Sequence, residues 1–77
     1  MNKARRNAIK ILLTQLEEIA QAIGTIRQEE ECVYDNTPEN LQNSQRYQDM
    51  EENLCELEDA VTGISDSCSL LQSVVDR

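Results

Sequence analysis

The second half of the chain carries apolar side chains at alternating steps of three and four residues, without interruption. The positions are Tyr47, Met50, Leu54, Leu57, Val61, Ile64, Cys68, Leu71 and Val75. Because an α-helix completes one turn in about 3.6 residues, this spacing draws a single narrow stripe along one helix face. Such a stripe is typical of a coiled-coil or helical-bundle seam. The pattern therefore predicts a long helix over about 45–75.

A similar stripe runs along the first part of the chain. Its members are Ile9, Leu12, Leu16, Ile19, Ile23 and Ile26, and the stripe is widened by Ala8, Leu13, Ala20 and Ala22. Helix-forming residues dominate this segment, and Gly24 is its one weak position. We therefore predict a first helix over about 3–32.

The segment between the two stripes, about 33–44, contains the only proline of the chain. Pro38 cannot continue a helix but suits the first position of a new one, and Thr37 before it suits an N-cap. We expect one short helical turn over 38–41. Ser44 is a second candidate N-cap, for the long helix that follows.

The similar lengths of the two stripes favour an antiparallel hairpin. Folding the chain at the break places apolar residues opposite one another, for example Ile9 and Cys68, Leu16 and Val61, and Ile26 and Met50. We predict an all-α fold with a single domain, 1–77. Because two helices bury only one seam, we also expect two copies to pair as a homodimer into a four-helix bundle.

The chain is acidic, with fifteen Asp and Glu against seven Lys and Arg and a net charge of -8. Nucleic acid and anionic membrane surfaces are disfavoured as partners, because both are negatively charged. Four bases lie together near the start of the chain: Lys3, Arg5, Arg6 and Lys10. We expect Asp66 and Asp76 of the other helix to offset them, and the alternative is a contact with a phosphate or a membrane.

Neither a membrane span nor a signal peptide is recognisable, so we expect a cytoplasmic protein. No apolar run approaches the ~18 residues that a membrane helix needs, and no apolar core and cleavage site follow the basic start. In that compartment Cys32, Cys55 and Cys68 are expected to be reduced. Without any histidine they offer neither a zinc site nor an activated nucleophile.

The acids of the second helix are the main candidates for chemistry: Glu51, Glu52, Glu56, Glu58 and Asp59. The spacing from Glu56 to Asp59 matches the ExxD part of the magnesium motif of all-α nucleotide pyrophosphohydrolases, but no EExxE motif accompanies it. We therefore expect no enzymatic activity, no metal and no cofactor, and a solvated acidic face. The alternative is that these acids bind a basic groove on a partner protein, in place of nucleic-acid phosphates.

Glu30 is the one acid on the stripe of the first helix. We expect it to lie across from Tyr47 and beside Arg46, where an ion pair or hydrogen bond would set the register of the hairpin. A catalytic role would need a second polar group nearby, and the sequence supplies none.

The residues after the first helix have both a structural and a functional interpretation. Caps, a proline and an aromatic side chain are what the corner of a hairpin requires. Binding residues nevertheless favour loops on rigid scaffolds. The alternative is therefore a recognition tip, made of Tyr34, Asp35, Asn36 and Glu39.

The same segment carries a resemblance to a known group of proteins. The run Tyr34-Asp35-Asn36-Thr37-Pro38-Glu39-Asn40-Leu41-Gln42, with Ser44, Arg46 and Tyr47 after it, resembles small proteins of phages and prophages of Gram-positive gut bacteria that share a Y-D-N-x-P-E-N-L-Q-x-S-x-R pattern. Asn43 stands where those proteins often have glycine or an acid. The resemblance implies a mobile-element origin and a helical hairpin, and it brings no known activity and no catalytic residues.

These observations favour a non-enzymatic module that binds a protein partner. With the mobile-element origin that the resemblance implies, the small size and the acidic rigid surface favour a phage-encoded inhibitor or modulator of a host protein, such as a defence protein. The alternative is a structural bundle protein that organises phage or host components through its own apolar flanks.

Overall fold

The computed structural model describes all 77 residues, Met1 to Arg77, and contains two long helices joined by a short connection. Helix α1 spans Lys3–Asp35 and helix α2 spans Gln45–Asp76, with one 3₁₀ turn, Glu39–Leu41, between them. The two helices lie side by side in opposite directions and form a rod of 59 × 14 × 13 Å. The all-α helical hairpin that the sequence predicts is confirmed.

Side-chain caps explain where α1 begins and ends. The Asn2 Oδ1 accepts a hydrogen bond from the backbone N–H of Arg5 at 2.8 Å. At the other end, the Asn36 side-chain amide donates to the Cys32 carbonyl at 2.8 Å, and the Thr37 hydroxyl donates to the Val33 carbonyl at 2.8 Å. These bonds satisfy carbonyls of the last turn, so α1 ends at Asp35 rather than near residue 32.

The start of α2 follows one of the two predicted caps. The Ser44 Oγ accepts a hydrogen bond from the backbone N–H of Tyr47 at 3.2 Å, which confirms Ser44 as the N-cap. The prediction that Thr37 caps the next helix is wrong, because its hydroxyl is used by α1. Pro38 itself takes the N-cap position of the 3₁₀ turn and makes no side-chain cap.

Helix α2 packs against α1 with the face that the sequence predicts. Of the nine residues of its stripe, Met50 and Val75 are buried and the other seven are half-buried. Most residues between them are exposed. Because its apolar side chains form one narrow stripe, α2 can bury them against a neighbouring helix in only one orientation.

Helix α1 is rotated relative to the predicted stripe. The residues that face α2 include the buried Leu13 and the half-buried Ala20 and Arg27. Half of the predicted stripe faces away instead: Leu12, Ile19 and Ile26 each remain about half exposed, at 49–54%. The apolar surface of α1 is wider than one neighbour can cover, so the hairpin uses one edge of it and leaves the other in solvent.

The register of the hairpin also differs from the expected one. Arg27 pairs with Glu58, whereas the expected register places it near Met50. Tyr34 stacks on Tyr47, with ring centroids 4.4 Å apart. The shift arises because α1 continues to Asp35 instead of ending near residue 32, which moves the bend toward the C-terminus.

The core of the isolated hairpin is thin. Only three residues, Leu13, Met50 and Val75, are buried, and no side chain is fully buried. Burial of apolar surface supplies most of the stability of small domains, and chains of this size are marginal even with a full core. Burial of further apolar surface against a partner would therefore stabilise the hairpin.

Replacing Gly63 with alanine is expected to stabilise the protein by about 1 kcal/mol. Gly63 lies inside α2, and a Cβ added there meets nothing within 4 Å, so only the helix propensity and the unfolded-chain entropy change. Urea unfolding of Gly63→Ala measures the effect. A variant no more stable than the original protein would contradict an open helical environment at this position.

Candidate interaction surfaces

One broad side of the hairpin is apolar on α1. Its residues are one heptad apart, and we call them the apolar row: Leu12, Ile19, Ile26 and Val33. All four are about half exposed, at 49–54%. Because residues spaced by seven lie on the same helix face, the row follows one face of α1. No other surface of the hairpin combines this length with this hydrophobicity.

The neighbouring edge of α2 carries small or polar residues. Glu30 lies between Ile26 and Val33 on one face of α1 and shares a groove with Asn53, Glu56 and Leu57. This groove places the α2 edge that contains Asn53 on the same side as the apolar row. The edge continues at heptad spacing through Ala60, Ser67 and Val74, of which only Val74 is half-buried.

The five acids proposed as a partner-binding face do not share one environment. Glu52, Glu56 and Asp59 are exposed and have no ion-pair partner, and we call these three the outer acidic face. Glu58 instead reaches across to α1, where its Oε2 lies 3.1 Å from the Arg27 Nε. Glu51 lies close enough to Tyr34 to act on its ionisation.

Arg27 is a contact residue that the sequence patterns did not reveal. Besides Glu58, its guanidinium binds Glu31 of its own helix at 2.8 Å. Arg27 lies one heptad after Ala20 and one heptad before Tyr34, so its position fits the face that packs on α2. A search for apolar residues overlooks it because it is charged. The partner on α2 depends on the register, which the sequence alone did not give.

The four residues proposed as a loop recognition tip divide into two pairs. Tyr34 stacks on Tyr47 with an interplanar angle of 14°, and the Asn36 side chain caps α1. Both side chains therefore stabilise the end of the hairpin where the helices are connected. Asp35 and Glu39 are exposed and make no side-chain hydrogen bond or ion pair. Only these two acids remain available to a partner at the loop.

The stacked tyrosines at the corner alter the ionisation of Tyr34. The pKa of Tyr34 is raised from 10.0 to about 12, chiefly by hydrogen bonding of its phenol with the Tyr47 side chain. Partial desolvation and the negative charges of Glu51 and Asp35 add to this effect. The folded protein thus holds the Tyr34 proton more tightly than the unfolded chain does.

Stability is expected to fall as the pH rises from about 10 to about 12, because the pKa of Tyr34 is raised in the folded state. Below pH 10 Tyr34 is protonated in both states, so its contribution is complete there. Melting temperatures measured across this range should decline less in Tyr34→Phe than in the original protein. An equal decline in both would assign the alkaline loss of stability to other groups.

An open cavity of about 650 Å³ lies at the loop end of the hairpin. Val33, the last residue of the apolar row, lines it together with Leu41 and Met50, and Arg46 stands at its edge. The cavity therefore continues the apolar row onto the connection.

Three further predictions concern charged residues and cysteines. Glu30 does not lie across from Tyr47 beside Arg46, and it faces Asn53 and Leu57 instead, because of the shifted register. The N-terminal bases form no ion pair with Asp66 or Asp76, since both ion pairs of the hairpin belong to Arg27. No disulfide joins Cys32, Cys55 and Cys68, and only Cys68 is half-buried.

Comparisons with protein-family models, with curated proteins and with solved structures find no match to this chain. No group of three or more His, Cys, Asp or Glu side chains is placed to hold a metal ion. Neither long helix combines the length and the hydrophobicity that crossing a membrane would require.

Proposed function

We propose that the protein is a non-enzymatic protein-binding module that acts as a homodimer, with two hairpins joined through their apolar rows into a four-helix bundle. The half-exposed row Leu12, Ile19, Ile26 and Val33 carries this proposal. Monomeric soluble proteins rarely expose a long contiguous apolar surface, and such surfaces mark interaction sites. Each hairpin has only three buried residues, and dimerisation would enlarge its apolar core.

The outer acidic face is the proposed contact for a different protein. Glu52, Glu56 and Asp59 project from a rigid helix and are exposed in the hairpin, and a dimer presents them twice. Repeated negative charge of this kind complements a basic groove and speeds association with it. Together with the resemblance to phage proteins, this supports an inhibitor or modulator of a host protein, in the bacterial cytoplasm.

The second candidate is a structural bundle protein that organises phage or host components. The apolar row favours it, because self-association would itself be the function. The two candidates differ in what they recruit. A homodimer that captures no host protein from a bacterial lysate would favour the structural role.

Reversing the outer acidic face is expected to abolish capture of the host protein without changing the melting temperature. The test variant carries Glu52→Lys, Glu56→Lys and Asp59→Lys, none of which breaks an ion pair. The control carries Glu17→Lys, Glu18→Lys and Asp76→Lys, which change the net charge equally. Affinity capture followed by mass spectrometry compares the two variants, and equal capture by both would remove the outer acidic face from the proposal.

A further inference from the structure

The apolar row lies between two ends of opposite charge. Before it stand four bases, none of them in an ion pair: Lys3, Arg5, Arg6 and Lys10. The Arg6 Nε is shielded from solvent and has no hydrogen-bond partner. At its other end are acids without an ion-pair partner: Glu29 and Glu30 lie just before Val33, and Asp35 and Glu39 follow it. The row and its ends are therefore self-complementary when one copy is reversed relative to the other.

We propose that two copies pair in an antiparallel manner, with α1 against α1 of the partner subunit and the N-terminal end of each hairpin on the loop end of the other. The inference rests on the homodimer proposed above and specifies its arrangement. The occupant of the apolar row is thus a second copy of this chain in one defined orientation.

Hydrophobic matching selects this orientation. Two hairpins that meet side to side about a two-fold axis have two arrangements. In the antiparallel one, each apolar row meets the apolar row of the partner subunit, and the loops lie at opposite ends. In the other, each row meets the α2 edge with Asn53, Ala60 and Ser67, and the loops lie together. The first buries the two apolar rows against each other along their whole length and sets the α2 edges together beside them, whereas the second sets each row against small or polar side chains.

The charges select the same orientation independently. With the loops together, the basic N-termini of both copies would also lie together and repel. In the antiparallel dimer each basic end lies on an acidic end, which lowers the electrostatic energy of the complex. The size of the contact is also suitable. A side measuring 59 × 14 Å is comparable in extent to the ~800 Å² that each partner contributes to a standard interface.

Centring the apolar row on the two-fold axis fixes the register. The axis then passes between Ala22 and Ile23, which sets Leu12 against Val33 of the partner subunit. Ile19 lies in the same way against Ile26 of the partner subunit. The row extends about 32 Å, at 1.5 Å per residue.

The same register predicts contacts at the ends of the row. Arg5 stands one heptad before Leu12 on the same face of α1, so the two-fold axis places it at the level of the connection that follows α1 in the partner subunit. Glu39 is an exposed acid of that connection, and we take it as the contact of Arg5. The N-terminal turn lies level with the loop-end cavity, so the exposed Met1 side chain covers the cavity of the partner subunit.

Cysteine cross-linking tests the orientation. In a background with Cys32→Ser, Cys55→Ser and Cys68→Ala, a chain with Leu12→Cys is mixed with a tagged chain with Val33→Cys. A second mixture combines Ile26→Cys with tagged Ala60→Cys, which approach each other only when the loops lie together. After unfolding, refolding and oxidation, non-reducing electrophoresis identifies the mixed disulfide by its size.

The antiparallel dimer predicts a mixed disulfide in the first mixture and none in the second. The reverse result would overturn the orientation and leave the homodimer standing. No disulfide in either mixture, together with a monomeric mass, would overturn both proposals.

A charge exchange tests the register with all native cysteines retained. Arg5→Glu and Glu39→Arg should each raise the dissociation constant of the dimer about tenfold at low salt, because symmetry doubles the effect of each rim charge. The double variant should return to within about threefold of the original protein, since the exchanged charges attract again. A double variant that is weaker than both single variants would contradict the contact between Arg5 and Glu39.

Discussion

Replacing both Ile19 and Ile26 with glutamate is expected to convert the protein into a monomer. These side chains occupy the centre of the apolar row and are 49% and 54% exposed in the hairpin. A dimer loses the burial of two isoleucines per chain, at roughly 1 kcal/mol each for half a side chain. It must also bury four carboxylates without partners, which costs several kcal/mol more. The dissociation constant should therefore rise by at least about a thousandfold.

Sedimentation velocity measures this change, and a matched variant controls for the added charge. Ile11 is 63% exposed and lies outside the apolar row, and the exposed Thr62 lies on the opposite edge of α2, near Glu58 and Asp59. Ile11→Glu with Thr62→Glu adds the same charge, but it should leave the dimer intact. Dissociation of both double variants would mean that the apolar row is not the contact surface.

Shortening Leu13 to alanine is expected to lower the free energy of unfolding by about 2–4 kcal/mol. Leu13 is 6% exposed, the lowest value in the chain, and it lies where α1 faces α2. The variant loses buried apolar surface and leaves a cavity, while leucine and alanine differ little in helix propensity. In a protein with only three buried residues, this loss is a large part of the total stability.

Chemical denaturation followed by circular dichroism measures the loss at Leu13. Leu70→Ala removes the same atoms from a side chain that is 71% exposed and should change the stability by less than about 0.5 kcal/mol. Similar losses in the two variants would show that Leu13 does not lie in the core of the hairpin.

The sequence predicted α2 better than α1, and the reason is the width of their apolar surfaces. In α2 a single stripe from Tyr47 to Val75 leaves one face for packing. In α1, Ile9, Leu16 and Ile23 belong to two possible stripes. One stripe continues through Leu12 and Ile19, and the other through Leu13 and Ala20. The first is more hydrophobic, so pattern alone favoured it, but the hairpin uses the second.

Neither register nor cross-helix contacts could be read from spacing. They depend on where the bend lies, and the bend is set by hydrogen bonds of Asn36, Thr37 and Ser44 with the neighbouring backbone. Once the bend is known, Arg27 reaches Glu58 and Tyr34 stacks on Tyr47. The acids of α2 were identified from sequence, whereas their division between the outer face and the hairpin contact required the fold.

The pairing of two hairpins is tested most directly by the dependence of thermal unfolding on protein concentration. If the thin core of each hairpin is completed by a second copy, folding and association are coupled, and the melting temperature must rise with concentration. For a dimer of this size, a hundredfold increase should raise it by about 10 °C. A melting temperature that is constant across that range, with a mass equal to the 8.8 kDa chain, would contradict the account.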